Sequence, residues 1–167
     1  MVETLFAPWR FEYVTTVDQR DRANCVFCRA RDSDDDRKTL TLLRRPRTFA
    51  LLNLYPYTSG HCMVAPNVHV QNLDDLDDAT LAELMMVGRQ LMGVVRRLYK
   101  PQGFNVGFNV GAAAGAGIEE HLHLHIVPRW FGDTNMMGVI GRTRVIPEDL
   151  SVAFDRFRSI LDEEGSR

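Results

Sequence analysis

Cysteine is scarce in this 167-residue chain: Cys25 and Cys28 stand as a Cys-x-x-Cys pair, and Cys62 is a third thiol far from both. Three thiols make a poor disulfide framework and fit a reducing compartment better. A charged start leading into an apolar run is missing, as is any apolar stretch long enough to cross a bilayer. The expected location is therefore the cytoplasm, with no membrane partner. Positive charge is in short supply too. Twenty Lys and Arg against 22 Asp and Glu give a net charge of −2 and a pI near 6.2, so the basic footprint of a nucleic-acid scaffold is absent and no nucleic-acid partner is expected. Internal repeats and separating linkers are lacking as well. With 45% hydrophobic residues the chain can bury one sizeable core, and residues 1–167 are expected to form a single domain.

Residues 1–24 include Phe6, Trp9, Phe11 and Tyr13, too aromatic for a solvated tail, and are expected to pack against the domain. Residues 31–38 contain four aspartates and no apolar residue, which reads as a solvated loop. Residues 48–54 and 61–66 read as an antiparallel strand pair around a Pro- and Gly-containing turn. From Leu73, apolar residues including Leu76, Leu81, Leu84, Val87, Leu91, Val94 and Leu98 recur at helical spacing up to Pro101. Asp74, Asp75, Asp77 and Asp78 suit the positive end of that helix. Residues 104–110 and 121–128 read as two more strands, separated by a Gly/Ala loop at 111–117. Residues 147–161 read as a closing helix with Pro147 in its first position. The pattern predicts an α+β fold.

Three of the five histidines fall in His121-Leu122-His123-Leu124-His125. On a strand, side chains alternate faces, so the three imidazoles would share one side and Leu122, Leu124 and Ile126 the other. The aliphatic side belongs against the helix, which leaves the imidazoles where a ligand can reach. Imidazole is mostly uncharged and nucleophilic at neutral pH, while a neighbouring ring can hold or donate a proton. A ring nitrogen that attacks an α-phosphorus splits one hard displacement into two easier ones. An alternative design is a zinc hydrolase, with histidines two apart on a strand holding a metal whose bound water attacks.

At these residues the chain resembles the histidine triad superfamily, whose His-φ-His-φ-His-φ-φ signature (φ apolar) is matched by residues 121–127. Asn53 eight residues before His61, then Pro66-Asn67-Val68-His69, and Pro128-Arg129 after the triad extend the likeness across residues 25–130. Trp9-Arg10, the cysteine pair, Trp130 and Gly132-Asp133-Thr134-Asn135 resemble the bacterial branch near fragile-histidine-triad proteins and diadenosine tetraphosphate phosphorylases. The resemblance implies a histidine triad fold, an antiparallel sheet with one long helix and a C-terminal helix. It also implies a homodimer with that long helix at the interface. It implies that His123 attacks the α-phosphorus, that His125 contacts the phosphate and helps the leaving group depart, and that His61 supports them, with His121 completing the catalytic set. Asn53 would bond the ribose and Asn109 a phosphate or bridging oxygen. Many members carry Gln-Ser or Gln-Thr where this chain has Gly117-Ile118, and backbone N–H groups there could serve as phosphate donors instead.

Cys-x-x-Cys supplies only half of a tetrahedral metal site. The resemblance implies that His69 and His121 complete it around a structural zinc with Cys25 and Cys28; two buried thiols without a metal are the alternative. No organic cofactor is expected. The function so implied is cleavage of dinucleoside polyphosphates such as diadenosine tetraphosphate or triphosphate through a nucleotidyl-histidine, with water or phosphate as acceptor. A nucleoside phosphoramidase of the histidine triad nucleotide-binding type is the alternative enzyme, and a nucleotide- or partner-binding module the alternative outside catalysis. Trp130 and Phe131 are expected to pack rather than to stack on a base. Arg129, Arg142 and Arg144 are expected to be solvated charges.

Overall fold

The computed structural model describes residues 25–133 and 146–165. Five strands form one antiparallel sheet: β1 (Thr41–Arg44), β2 (Thr48–Leu52), β3 (Cys62–Pro66), β4 (Gly103–Phe108) and β5 (Leu124–Arg129), in the order β1-β2-β3-β5-β4. Among the described residues the α-helices are α1 (Val26–Asp32), the single turn α2 (Asp36–Thr39), the long α3 (Asp78–Tyr99) and α4 (Leu150–Gly165).

Alternation along the buried strands β2 and β3 splits the core in two. Ala50, Leu52, Cys62 and Val64 face Leu84, Val87, Leu91, Val94 and Val95 of α3 and Phe154, Phe157, Ile160 and Leu161 of α4. Phe49, Leu51, Met63 and Ala65 face the other way, onto Cys25, Phe27, Cys28 and Ala30 of the α1 segment. Leu124 and Ile126 of β5 join the first cluster, as expected. Gly88 lets α3 come close there: a Cβ at that position would lie 2.9 Å from Leu124 Cδ2.

Local chemistry sets the ends of α3. The Asp77 side chain accepts from Thr80 N at 2.7 Å, and Lys100 turns left-handed (φ 48°) just before Pro101, which cannot continue the hydrogen-bond ladder. Capping by Asp77 starts the helix later than periodicity alone suggests, and Leu73–Asp75 forms a separate 3-10 turn. Helix α4 begins at Leu150, three residues after Pro147.

The segment expected to be a solvated loop is instead helical at both ends, because Arg44 of β1 organises it. The Arg44 guanidinium donates to the carbonyls of Ala30 (2.9 Å), Arg31 (2.5 Å) and Ser33 (2.8 Å) and to Asp36 Oδ1 (2.7 Å). That satisfies carbonyls which the end of α1 would leave unpaired. Strand β1 itself has no counterpart in the sequence reading, since its four residues are too few to show alternation. The packing expected of residues 1–24, and the roles weighed for Thr134, Asn135, Arg142 and Arg144, lie outside the described residues. No described helix is long and apolar enough to cross a membrane.

Candidate functional site

The histidines divide into two groups. Strand pairing starts at Leu124 rather than at residue 121; before it, Leu122 N donates to Val70 O at 2.7 Å, and the chain carrying His121 and His123 is held at the strand's entrance. His121 points into a cluster with Cys25, Cys28 and His69, whereas His123 and His125 keep company with His61.

In the second group the rings of His123 and His125 lie 4.6 Å apart at 67°, and those of His61 and His125 5.2 Å apart. The hydrogen bonds determine where the ring protons sit. His123 Nδ1 lies 2.8 Å from the His121 carbonyl, and a carbonyl can only accept. Nδ1 therefore carries the proton, and Nε2 of the neutral ring holds the lone pair. On the other side, Tyr57 N donates to His61 Nδ1 at 3.1 Å, and His61 Nε2 lies 3.0 Å from His125 Nδ1. His61 in its neutral form then bears its proton on Nε2 and donates to His125 Nδ1, which places the His125 proton on Nε2. One nucleophilic nitrogen and one N–H donor thus sit on adjacent rings. Burial lowers the affinity of His123 for a proton, with the bond to the His121 carbonyl working the other way, so the ring is held neutral.

The three triad rings were expected on an open face, but His121 is fully buried and His123 is 5% exposed; His125 is the half-buried one. The cause is Phe27, which α1 lays across them with ring centroids 5.2 Å from His121 and 4.6 Å from His123. Phe27 went unnoticed in the sequence, although its place between the two cysteines ties it to whatever they bind. Tyr57 was also missed; its ring lies 4.7 Å from that of His61 and is stacked on His125 at 6.1 Å and 18°.

Asn53 is engaged within its own loop. Its Oδ1 accepts from Tyr55 N at 2.9 Å and its Nδ2 lies 3.3 Å from His61 Nδ1. Asn109 follows Phe108, the last β4 residue paired with β5 and the partner of Leu124, and so ends near the triad. Ile118 packs its side chain against the α1 cluster. Arg129 is held by Asp133 (2.5 Å) and Asn105 (2.7 Å), Trp130 is half-buried, and Phe131 stands 89% exposed rather than packed.

The four donor atoms of Cys25, Cys28, His69 and His121 lie within 4.8 Å of one another. His69 Nδ1 is 3.2 Å from Cys28 Sγ, and His121 Nδ1 is 3.4 Å from Cys25 Sγ and 3.6 Å from Cys28 Sγ. His121 Nε2 donates to the Pro66 carbonyl at 2.9 Å, which leaves Nδ1 with its lone pair aimed at the sulfurs. Burial drops the His121 pKa to about 4, the Pro66 bond opposing it, and burial raises that of Cys25. Two thiols and two imidazoles so aimed fit a closed tetrahedral metal site. Cys62, by contrast, is fully buried on the α3 side and its pKa is pushed up by burial, consistent with an ordinary core thiol.

Residues 35–132 match the family model for the HIT domain, more than half of the chain. The chain belongs to the HIT family. Over 152 residues it is 38% identical to a Mycobacterium tuberculosis protein named AP-4-A phosphorylase, covering 88% of this chain and 78% of the relative. A Zn-bound histidine triad family protein from Mycobacterium smegmatis superposes with a TM-score of 0.68 at 27% identity, covering 86% of this chain and 97% of that one. Plasmodium falciparum diadenosine triphosphate hydrolase gives a TM-score of 0.65 at 15% identity, covering 95% of this chain and 97% of that one, a likeness of fold alone. Membership of the HIT family accounts for the α+β architecture and for the triad motif that the sequence displays.

Proposed function

We propose that this HIT protein cleaves dinucleoside polyphosphates by nucleotidyl transfer through His123. The supporting observation is the hydrogen-bond geometry: His123 Nδ1 at 2.8 Å from the His121 carbonyl leaves Nε2 as nucleophile, beside a His125 whose Nδ1 lies 3.0 Å from His61 Nε2, an arrangement that fits a proton on His125 Nε2. Its similarity to the Mycobacterium tuberculosis AP-4-A phosphorylase favours a dinucleoside polyphosphate as substrate. In the first step a bond forms from His123 Nε2 to the α-phosphorus, and the bond from phosphorus to the bridging oxygen breaks. The electron pair leaves with that oxygen, and the His125 N–H donates a hydrogen bond to the negative charge as it develops. In the second step an acceptor oxygen attacks the phosphorus and the N–P pair returns to Nε2. Water as acceptor gives a nucleoside monophosphate and a proton to solvent; phosphate gives a nucleoside diphosphate. The phosphorus must approach the small exposed part of His123 past the half-buried His125. Asn53 is assigned to the ribose, and Asn109 with the backbone at Gly117 and Ile118 to phosphate oxygens.

We assign Cys25, Cys28, His69 and His121 to a structural zinc, supported by the donor set and by the Zn-bound Mycobacterium smegmatis relative. When bound, zinc would supply a cross-link between the α1 segment and the entrance of β5. We assign a homodimer to the native state. In support, β4 is an edge strand whose Asn105, Val106 and Gly107 are exposed, and Met85 and Met86 of α3 are 49% and 54% exposed.

The test is product analysis by mass with diadenosine tetraphosphate, diadenosine triphosphate and adenosine phosphoramidate, each with and without orthophosphate. Turnover of a dinucleotide supports the reading, and phosphate-dependent ADP identifies a phosphorylase. A marked preference for the phosphoramidate would overturn it in favour of a phosphoramidase.

A further inference from the structure

Tyr57 supplies two things to the histidine pair from one position. Its backbone N–H occupies His61 Nδ1, and its ring lies against His61 and nearly parallel to His125. Tyr57 is 37% exposed, so this packing takes place at the surface of the site. The turn that carries it is tied down on several sides. Thr58 Oγ1 donates to the Pro128 carbonyl at 2.9 Å, anchoring the turn to β5, and His61 N donates to the Thr58 carbonyl at 3.2 Å. Asn53 closes it through its Oδ1 on Tyr55 N and its N–H on the His61 carbonyl at 3.0 Å. Gly60 completes the turn at φ +78°, pressed so close to Tyr99 that a Cβ would sit 2.8 Å from its ring.

We propose that Tyr57 is a positioning residue for leaving-group departure, acting through His61 to hold the His125 N–H on the bridging oxygen. The inference rests on the nucleotidyl-transfer reading above and deepens it. A backbone N–H cannot accept a hydrogen bond, so His61 is confined to one neutral tautomer and always donates toward His125. The Tyr57 ring, packed against His61 and stacked on His125, limits rotation of both imidazoles. Without the ring, His61 keeps the backbone bond at Nδ1 but is freer to turn about it. His125 then loses the bond that presents its proton outward. His123 is flanked by Phe27 on α1 and keeps its own bond to the His121 carbonyl. The nucleophile should therefore be spared where the leaving-group donor is not.

A series of aryl 5′-esters of AMP with phenols of graded pKa reads this directly. Single-turnover rates are measured on the full chain for the wild type, Tyr57→Ala and Tyr57→Phe. Loss of a donor on the leaving oxygen steepens the dependence of rate on phenol pKa. In Tyr57→Ala the loss should be at least tenfold greater on the poorest leaving group than on the best, and Tyr57→Phe, which keeps the ring, should restore the wild-type slope. Equal losses across the series would show that the ring only supports the fold, and would overturn this proposal alone. A protein that turns over none of the esters would overturn the nucleotidyl-transfer reading with it. A second readout needs no turnover: nitrogen chemical shifts of ¹⁵N-labelled histidine at pH 8 should show His125 protonated on Nε2 in the wild type. Protonation on Nδ1 instead contradicts the proposal.

Discussion

His61 Nε2 lies 3.0 Å from His125 Nδ1, and through that contact a residue 64 positions away in sequence engages one nitrogen of His125 and leaves Nε2 for the substrate. Replacing His61 should therefore weaken the chemical step more than binding. For His61→Ala we expect kcat to fall by roughly 10- to 100-fold with KM changed far less, at or below the roughly 10²–10⁴-fold worth of a direct proton donor because His61 acts through His125. Steady-state kinetics on diadenosine tetraphosphate checks this, and a rise in KM with kcat intact would place His61 in binding instead.

The cysteine–histidine cluster should govern stability more than substrate affinity. Cys28→Ser, and separately chelation of the wild type, are expected to lower Tm by roughly 5–10 °C, about 2–3 kcal/mol for a chain of this size. Metal analysis should give close to one zinc per wild-type chain and much less in the variant. An unchanged melt in metal-free protein would return the pair to the status of buried thiols.

Acid should destabilise the metal-free fold over a defined window. His121, with its pKa dropped to about 4 by burial, and His123, lowered for the same reason, are neutral when folded and bind protons more readily when unfolded. Between the ordinary histidine value near 6.5 and about 4 the unfolded state takes up more protons. Stability is then fully present above that ordinary value and declines as pH falls through the window. Urea denaturation at stepped pH in the presence of chelator should show the decline, and His123→Asn should flatten it. A slope in His123→Asn equal to that of the wild type would contradict the assignment.

Gly60 tests the turn that carries Tyr57. With φ +78° and Tyr99 in the way of a Cβ, Gly60→Ala should cost about 1–3 kcal/mol in chemical denaturation, from the left-handed backbone and overpacking together. A cost near zero would mean that the turn and Tyr99 part easily.

Much of the site was legible because its residues declare themselves by spacing. The alternation of His121, His123 and His125 with aliphatic residues marks β5 and the side that packs on α3, and the long apolar period marks α3 itself. The division of labour among the histidines was not legible. Two-residue periodicity puts His121 beside His123, yet Cys25, Cys28 and His69 meet it from distant positions and the Pro66 carbonyl fixes its ring. The burial of His123 escaped for a related reason: Phe27 reaches it across 96 positions of chain, and no local pattern encodes that approach. The helical turns around residues 31–38 were hidden by their aspartates, because the cation that organises them, Arg44, lies on the next strand. Tyr57 passed as a turn residue since its contribution to His61 comes from the backbone, which composition does not reveal.

The assignment of His123 as nucleophile is tested most directly by trapping. Acid-labile phosphoramidates survive a rapid alkaline quench, so the protein mixed with diadenosine tetraphosphate for milliseconds, digested at high pH and mapped by mass should carry an adenylyl group on the peptide containing His123. The same experiment on His123→Ala should show none and turnover reduced by about 10³-fold or more. An adduct on a different residue, or full turnover by the alanine variant, would contradict the account.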